Sequence, residues 1–176
     1  SLANESDLII FSDGPKNTQD VSAVREVREF LHSVNGFKSV LIKESDENKG
    51  LANSVISGVS EVVNRYGTVI VLEDDLVVSP NFLIFMNEAL TFYASKGMFS
   101  VSGFSLRLMI PIDFDVYFVR RASSWGWATW SSSWNLCDWD VSDYNHFKLN
   151  KELRRDFNRW GSDLSRMLDR QMAGEI

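Results

Sequence analysis

Several features that define large classes of proteins are scarce in this sequence of 176 residues. It has one cysteine, Cys137, so an internal disulfide is excluded and a reducing compartment such as the cytoplasm is indicated. Its longest apolar run, about residues 68–72, is far shorter than the ~18–20 residues that span a bilayer. No basic-then-apolar segment typical of a signal peptide is seen at the start. The sequence therefore predicts neither a disulfide-stabilised fold nor a transmembrane segment.

Basic residues are also in deficit, with 18 Lys and Arg against 24 Asp and Glu. A nucleic-acid binder needs a surplus of positive charge to displace phosphate counterions, so nucleic acid is excluded as a main partner. The length predicts one domain, 1–176, which we expect to be a fragment of a longer protein because it opens with Ser1 and stops directly after a helical pattern. All six tryptophans follow residue 124, which favours different roles for residues 1–96 and 97–176.

Apolar spacing predicts alternating strands and helices in the first part of the chain. Short apolar runs predict strands, and apolar residues three or four apart predict helices. Short connections between them favour a parallel sheet flanked by helices. The predicted strands are 8–11, 39–42, 68–72, 99–104 and 116–119, and the predicted helices are 20–34, the segment capped by Asn48, the segment opened by Ser79 and Pro80, 147–160 and 164–172.

Three adjacent carboxylates, Glu73, Asp74 and Asp75, directly follow the third predicted strand. Adjacent carboxylates repel one another, and a hard cation such as Mg²⁺ or Mn²⁺ offsets that repulsion with help from substrate phosphates. The triplet thus predicts a metal-dependent diphosphate site. The alternative is a solvated acidic turn.

Two other predicted strands end in polar residues that we expect at the same edge of the sheet. Asp13 and Gly14 follow the first strand, where an aspartate can bind a base or ribose. The alternative for Asp13 is a turn-forming role. Asn48, Lys49 and Gly50 follow the second strand and open a helix, which suits a phosphate. The alternative there is an ordinary helix cap beside an exposed lysine.

These segments, in this order and spacing, resemble glycosyltransferases of the GT-A fold, in particular family 2 and the N-acetylglucosaminyltransferase I group. The most specific part of the resemblance is Val71–Leu76 followed by Ser79–Phe82. It implies a mainly parallel, Rossmann-like sheet from which this fragment lacks the first strand. It also implies a donor-binding part over 1–96 and an acceptor-side part over 97–176.

The resemblance also assigns roles to individual residues. Asp75 is the implied metal ligand, with Glu73 and Asp74 facing the donor sugar and ribose. The base-contacting turn is implied at Asp13 and Gly14, and further donor contacts at Asn48, Lys49, Gly50 and Asn53. The segment Ser124–Trp130 resembles the Gly-Trp segment beside the acceptor, which favours Trp125 or Trp127 as an acceptor contact.

The implied activity is a metal-dependent, inverting transfer of a sugar from a nucleotide sugar, expected to be UDP-linked, to a carbohydrate or glycolipid acceptor, with Mn²⁺ or Mg²⁺ as cofactor. The resemblance further implies bacterial polysaccharide biosynthesis. Inversion needs a base for the acceptor hydroxyl, and we expect Asp163, with Asp138 or Asp140 in reserve. The alternative for Asp163 is a helix cap. For the whole chain, the alternatives are a nucleotidyltransferase or a non-catalytic carbohydrate-binding or scaffold domain.

Overall fold

A computed structural model describes residues 2–105 and 113–175, which form a mixed α/β fold. Within those ranges the strands are β1 (Asp7–Ser12), β2 (Ser39–Glu44), β3 (Thr68–Val71), β4 (Ser100–Ser102) and β5 (Trp127–Trp130). The α-helices there are α1 (Val21–Leu31), α2 (Leu51–Tyr66), α3 (Phe82–Tyr93), α4 (Ser131–Trp134), α5 (Tyr144–Leu149), α6 (Lys151–Phe157) and α7 (Leu164–Met172). In the same ranges, no helix is long and apolar enough to cross a membrane.

The first two strands form a parallel pair joined by α1. Their register runs from Asp7 opposite Ser39 to Ser12 opposite Glu44. The turn sequence after β1 ends the strand, and the valines of α1 recur at helical spacing, so the chain crosses over and returns in the same direction. The predicted parallel pairing of these two strands is confirmed.

The third predicted strand does not extend that pair. Among the described strands, β3 pairs only with β5, antiparallel, and β5 pairs antiparallel with β4 on its other side. The described strands therefore form one parallel pair and a separate antiparallel sheet of three, in place of one mainly parallel sheet. The difference arises from β5, which lies in a tryptophan-rich stretch where the sequence predicts no definite element.

Helices cover both faces of the antiparallel sheet. Side chains alternate along β3, so Ile70 faces α3 while Val69 and Val71 face α2. Fully buried side chains anchor the two helices, Met86 on α3 and Val63 on α2. The sheet is therefore the middle layer of the core.

Two tryptophans anchor these helices with hydrogen bonds as well as packing. The indole Nε1 of Trp130 donates to the carbonyl of Leu90 at 3.1 Å, and that of Trp134 donates to the hydroxyl of Ser60 at 2.8 Å. Helix α2 also contacts the parallel pair, because Gly58 lies against the ring of Phe11. One helix thus contacts both sheets.

The C-terminal part matches the prediction at α7 and differs elsewhere. Residues 116–119 are irregular, so the strand predicted there is wrong. The single helix predicted over 147–160 is divided into α5, α6 and a short 3-10 turn. The division falls at Asn150, whose side chain accepts hydrogen bonds from the amides of Glu152 and Leu153 and so begins a new helix.

Candidate functional site

The path of α2 relates the turn after β1, which carries Asp13, to the turn after β3, which carries the acidic triplet. This helix begins beside the carboxyl ends of β1 and β2, where Asp13 contacts its first turn. It runs away from that edge over 51–66, and a left-handed turn at Gly67 (φ 81°) sends β3 back toward it. The carboxyl end of β3, with its acidic triplet, thereby returns to the same end of the fold as Asp13.

Asp13 is the best-defined residue at this edge. Its carboxylate accepts hydrogen bonds from the backbone amides of Lys49 (2.9 and 3.1 Å), Gly50 (2.9 Å) and Gly14 (3.0 Å). The amide of Lys49, followed by those of Gly14 and Gly50, holds the pKa of the Asp13 carboxyl below its usual range. Asp13 therefore caps α2 from a distant part of the sequence.

This arrangement corrects one expectation about the start of α2. Asn48 does not cap the helix, since Gly50 is the N-cap residue and the Asn48 amide donates to the carbonyl of Gly14 at 2.9 Å. The amides of Lys49 and Gly50, which precede α2, bind the Asp13 carboxylate, so the phosphate expected at this helix end would meet the amides of Leu51, Ala52 and Asn53 instead. Asn53 donates to the Lys49 carbonyl at 3.0 Å and stiffens the same turn.

The acidic triplet forms a turn directly after β3. Glu73 is half-buried and its carbonyl accepts from the Leu76 amide at 3.3 Å, while Asp74 and Asp75 are exposed. Within residues 2–105 and 113–175, no three His, Cys, Asp or Glu side chains converge as a metal-binding group. The carboxylates nevertheless suit Mg²⁺ or Mn²⁺, because these ions bind through one or two protein carboxylates with substrate phosphates and water completing the shell.

Strand register places an aromatic pair at the end of the antiparallel sheet from which the acidic triplet follows. Val71 lies opposite Trp127 and Ser102 lies opposite the same residue on the other side, so the residues beyond these positions meet at one edge. There the rings of Phe104 and Trp125 pack edge to face with their centroids 4.5 Å apart. Trp125 is 55% exposed, so part of its ring is open to a ligand.

The two tryptophans proposed as acceptor contacts thus differ in position. Trp127 is half-buried and packs on Trp134 with ring centroids 5.6 Å apart, in the cluster beneath α2. The expectation of acceptor contact is not supported for Trp127, whereas Trp125 lies at the surface. Sequence analysis assigned Phe104 no functional role, because its only signal was that of the last apolar residue in the strand predicted over 99–104.

Asp163 is engaged by an arginine. Its two carboxylate oxygens accept hydrogen bonds from Arg121 at 2.9 and 3.1 Å, and this guanidinium lowers the pKa of the Asp163 carboxyl. A carboxylate so stabilised is a weaker proton acceptor, which disfavours Asp163 as a general base. Asp163 is the N-cap residue of α7, as the alternative predicts, although its side chain makes no cap hydrogen bond.

The reserve candidates differ from each other. Asp138 accepts from the amide and hydroxyl of Ser142 at 2.7 and 2.6 Å and from the amide of Asp140 at 3.1 Å. The Ser142 hydroxyl is the main cause of a lowered pKa at Asp138. Asp138 therefore closes its own loop, whereas the side chain of Asp140 is exposed.

Comparison of the chain with models of known families, with curated proteins and with solved structures found no match.

Proposed function

We propose that this chain is part of a metal-dependent glycosyltransferase of the GT-A fold that moves a sugar from a nucleotide sugar, UDP-linked, to a carbohydrate acceptor with inversion. One observation carries the proposal. The register of β3 and β5 pairs Val71 with Trp127, so the acidic triplet that follows β3 and the exposed Trp125 that precedes β5 lie at the same end of the antiparallel sheet. The assignment to bacterial polysaccharide biosynthesis belongs to the same proposal and rests on the sequence resemblance, whereas the cytoplasmic location rests on the single cysteine.

On the donor side, the triplet supplies the ligands that a divalent cation prefers. Asp75 would hold the ion, with Glu73 and Asp74 toward the sugar and ribose. A bound Mg²⁺ or Mn²⁺ supplies charge neutralisation for a departing nucleoside diphosphate. The Asp13 and Gly14 turn, fixed on the first turn of α2, offers a rigid edge for the nucleoside.

On the acceptor side, the proposal assigns the contact to Trp125, supported by Phe104. Aromatic faces stack on the apolar faces of sugar rings, and a ring held by a neighbouring ring loses less entropy on binding. We assign Asp163 no catalytic role, because its ion pair with Arg121 occupies both of its oxygens. Its role is instead to tie the segment around Arg121 to the start of α7.

The proposal is tested by calorimetric titration of UDP into the protein in the presence of Mn²⁺ and again with EDTA. We expect metal-dependent binding that Asp75→Asn abolishes. The matched control is Glu88→Gln, which removes one exposed carboxylate from α3 and should leave binding unchanged. Circular dichroism verifies that each variant is folded. Absence of UDP binding by the folded wild-type protein with Mn²⁺, or undiminished binding by Asp75→Asn, would refute the proposal.

A further inference from the structure

Arg28, on the inward side of α1, joins the ends of the two parallel strands. Its Nε donates to the hydroxyl of Ser12 at 3.2 Å, and its Nη2 donates to the carbonyls of Ser45 at 2.7 Å and Asp13 at 3.2 Å. Its Nη1 lies 3.4 Å from the carboxylate of Glu44. The Arg28 side chain is only 18% exposed. This is unusual for an arginine, and more so here because α1 contains no buried residue.

The chemistry of this junction requires a planar, multiple donor. Asp13 and Ser45 lie one residue beyond the ends of β1 and β2, so their carbonyls are outside the strand ladder and need donors from elsewhere. A guanidinium presents five N–H groups in a fixed fork, so one side chain reaches acceptors on two strands together. A lysine carries the same charge as a single point and cannot reproduce the fork.

The same bonds continue to α2 through Asp13. Arg28 binds the backbone carbonyl of this residue, while its side-chain carboxylate binds the amides of Lys49 and Gly50. The backbone and the side chain of Asp13 are thus held from opposite sides, by α1 and by α2. Replacing Arg28 removes the hydrogen bond to the Asp13 backbone carbonyl, so that the carboxylate contacts at the start of α2 alone hold this residue.

We propose that Arg28 is a positioning residue: its guanidinium holds the turn after β1 so that the Asp13 carboxylate reaches the amides of Lys49 and Gly50 that lead into α2. It thereby sets the shape of the edge to which a nucleotide would bind. This last consequence rests on the proposed function, whereas the positioning itself does not.

The test is Arg28→Lys, with Arg25→Lys as the matched control. Arg25 is on the same helix, its guanidinium lies 3.8 Å from Glu29, and its side chain is 71% exposed, so its loss should affect only the helix surface. The measurements are the pKa of the Asp13 carboxyl by carbon-detected NMR and hydrogen exchange at the Gly50 amide. We expect Arg28→Lys to raise the pKa of Asp13 toward the ordinary range and to speed Gly50 exchange about tenfold.

Hydrogen exchange at the Met86 backbone amide, on α3, distinguishes a local loss of positioning from destabilisation of the whole fold. If Gly50 and Met86 exchange accelerate together, or if the pKa of Asp13 is unchanged in folded Arg28→Lys, the inference is refuted. Should Arg28→Lys not fold, Ser12→Ala removes one acceptor of the guanidinium and should shift both Asp13 and Gly50 in the same direction by less.

UDP titration with Mn²⁺ then tests the link to the site. A Kd raised about tenfold in Arg28→Lys, with Arg25→Lys unchanged, supports the inference in full. If the NMR changes occur while the wild-type protein binds no UDP, the positioning role stands and the proposed function fails. If UDP binds the wild type and Arg28→Lys equally, the link between positioning and nucleotide binding is refuted.

Discussion

Replacing Asp13 by Asn removes the charge that caps α2 and changes little else in shape. The carboxamide keeps one oxygen for the Lys49 amide. Its NH₂ group then faces the amide of Gly50, where the carboxylate oxygen accepts a hydrogen bond of 2.9 Å. Two donors therefore meet where a donor and an acceptor met. Because Asn and Asp are nearly the same size, packing does not contribute to the difference.

The expected cost follows from these bonds. Loss of a helix N-cap costs about 0.5–2 kcal/mol, and a buried amide left without an acceptor costs about 1–3 kcal/mol. Asp13 is only half-buried, so water partly replaces the lost acceptor and the lower part of each range applies. We expect Asp13→Asn to lower the free energy of unfolding by about 1–2 kcal/mol at neutral pH.

The pH dependence provides a second, independent signature. The pKa of Asp13 is lowered in the folded protein, so its contribution is complete above the unfolded pKa, about 3.9, and is lost as the pH falls through the folded pKa. The gap between wild type and Asp13→Asn should therefore be constant from neutral pH to about 5 and shrink below about 4.

Urea unfolding followed by far-ultraviolet circular dichroism measures this gap at each pH. Asp46→Asn is the control, because Asp46 is an exposed aspartate in the neighbouring turn after β2. It should change the free energy of unfolding by less than about 0.5 kcal/mol. A gap near zero for Asp13→Asn at neutral pH, or one that widens as the pH falls, would refute the capping argument.

Two further predictions concern packing and use the same unfolding assay. Met86→Ala should cost about 2–5 kcal/mol, because the side chain is fully buried beneath α3, whereas Ile84→Ala on the exposed side of that helix should cost much less. Gly14→Ala should cost about 1–3 kcal/mol, because a Cβ there would overlap the backbone of Glu47, which cannot yield. Gly58→Ala should cost less, because the atoms nearest its Cβ belong to the ring of Phe11, which is partly exposed and can shift by a few tenths of an ångström, and because alanine favours the helix. Equal losses within either pair would contradict these assignments.

Local patterns in the sequence predicted the local structure well. The helices α1, α2, α3 and α7 are where apolar spacing placed them, and β1 and β2 pair as their crossover requires. The predicted opening of α3 at Ser79 and Pro80 is wrong, because the helix begins at Phe82 with Asn81 as its N-cap residue. For each of these helices and strands, the sequence pattern that predicts it lies within that element or between it and its neighbour in the chain. Hydrophobic spacing identifies the buried face of a helix without knowledge of its partner.

Contacts between distant residues were not predictable in the same way. The strand β5 pairs with β3 across more than fifty residues, and short tryptophan-rich segments give no distinctive period. Asp13 was selected correctly as a strand-end residue, but its binding to the Lys49 amide joins positions 36 apart. The ion pair of Arg121 with Asp163 spans 42 residues, so a carboxylate that looked free in the sequence is occupied in the fold.

The distribution of tryptophan gives the molecule an uneven intrinsic fluorescence. Three indoles form a chain, with Trp134 between Trp127 and Trp139 at centroid distances of 5.6 and 4.5 Å. All six tryptophans follow residue 124, so β1, β2 and α1 carry no such fluorophore. Tryptophan emission therefore reports mainly on the unfolding of β5 and of the segments packed against α2, whereas circular dichroism reports on the secondary structure of the whole chain. Unfolding curves from the two signals separate when the parallel pair unfolds apart from the rest, and they coincide when α2 holds both sheets in one cooperative unit.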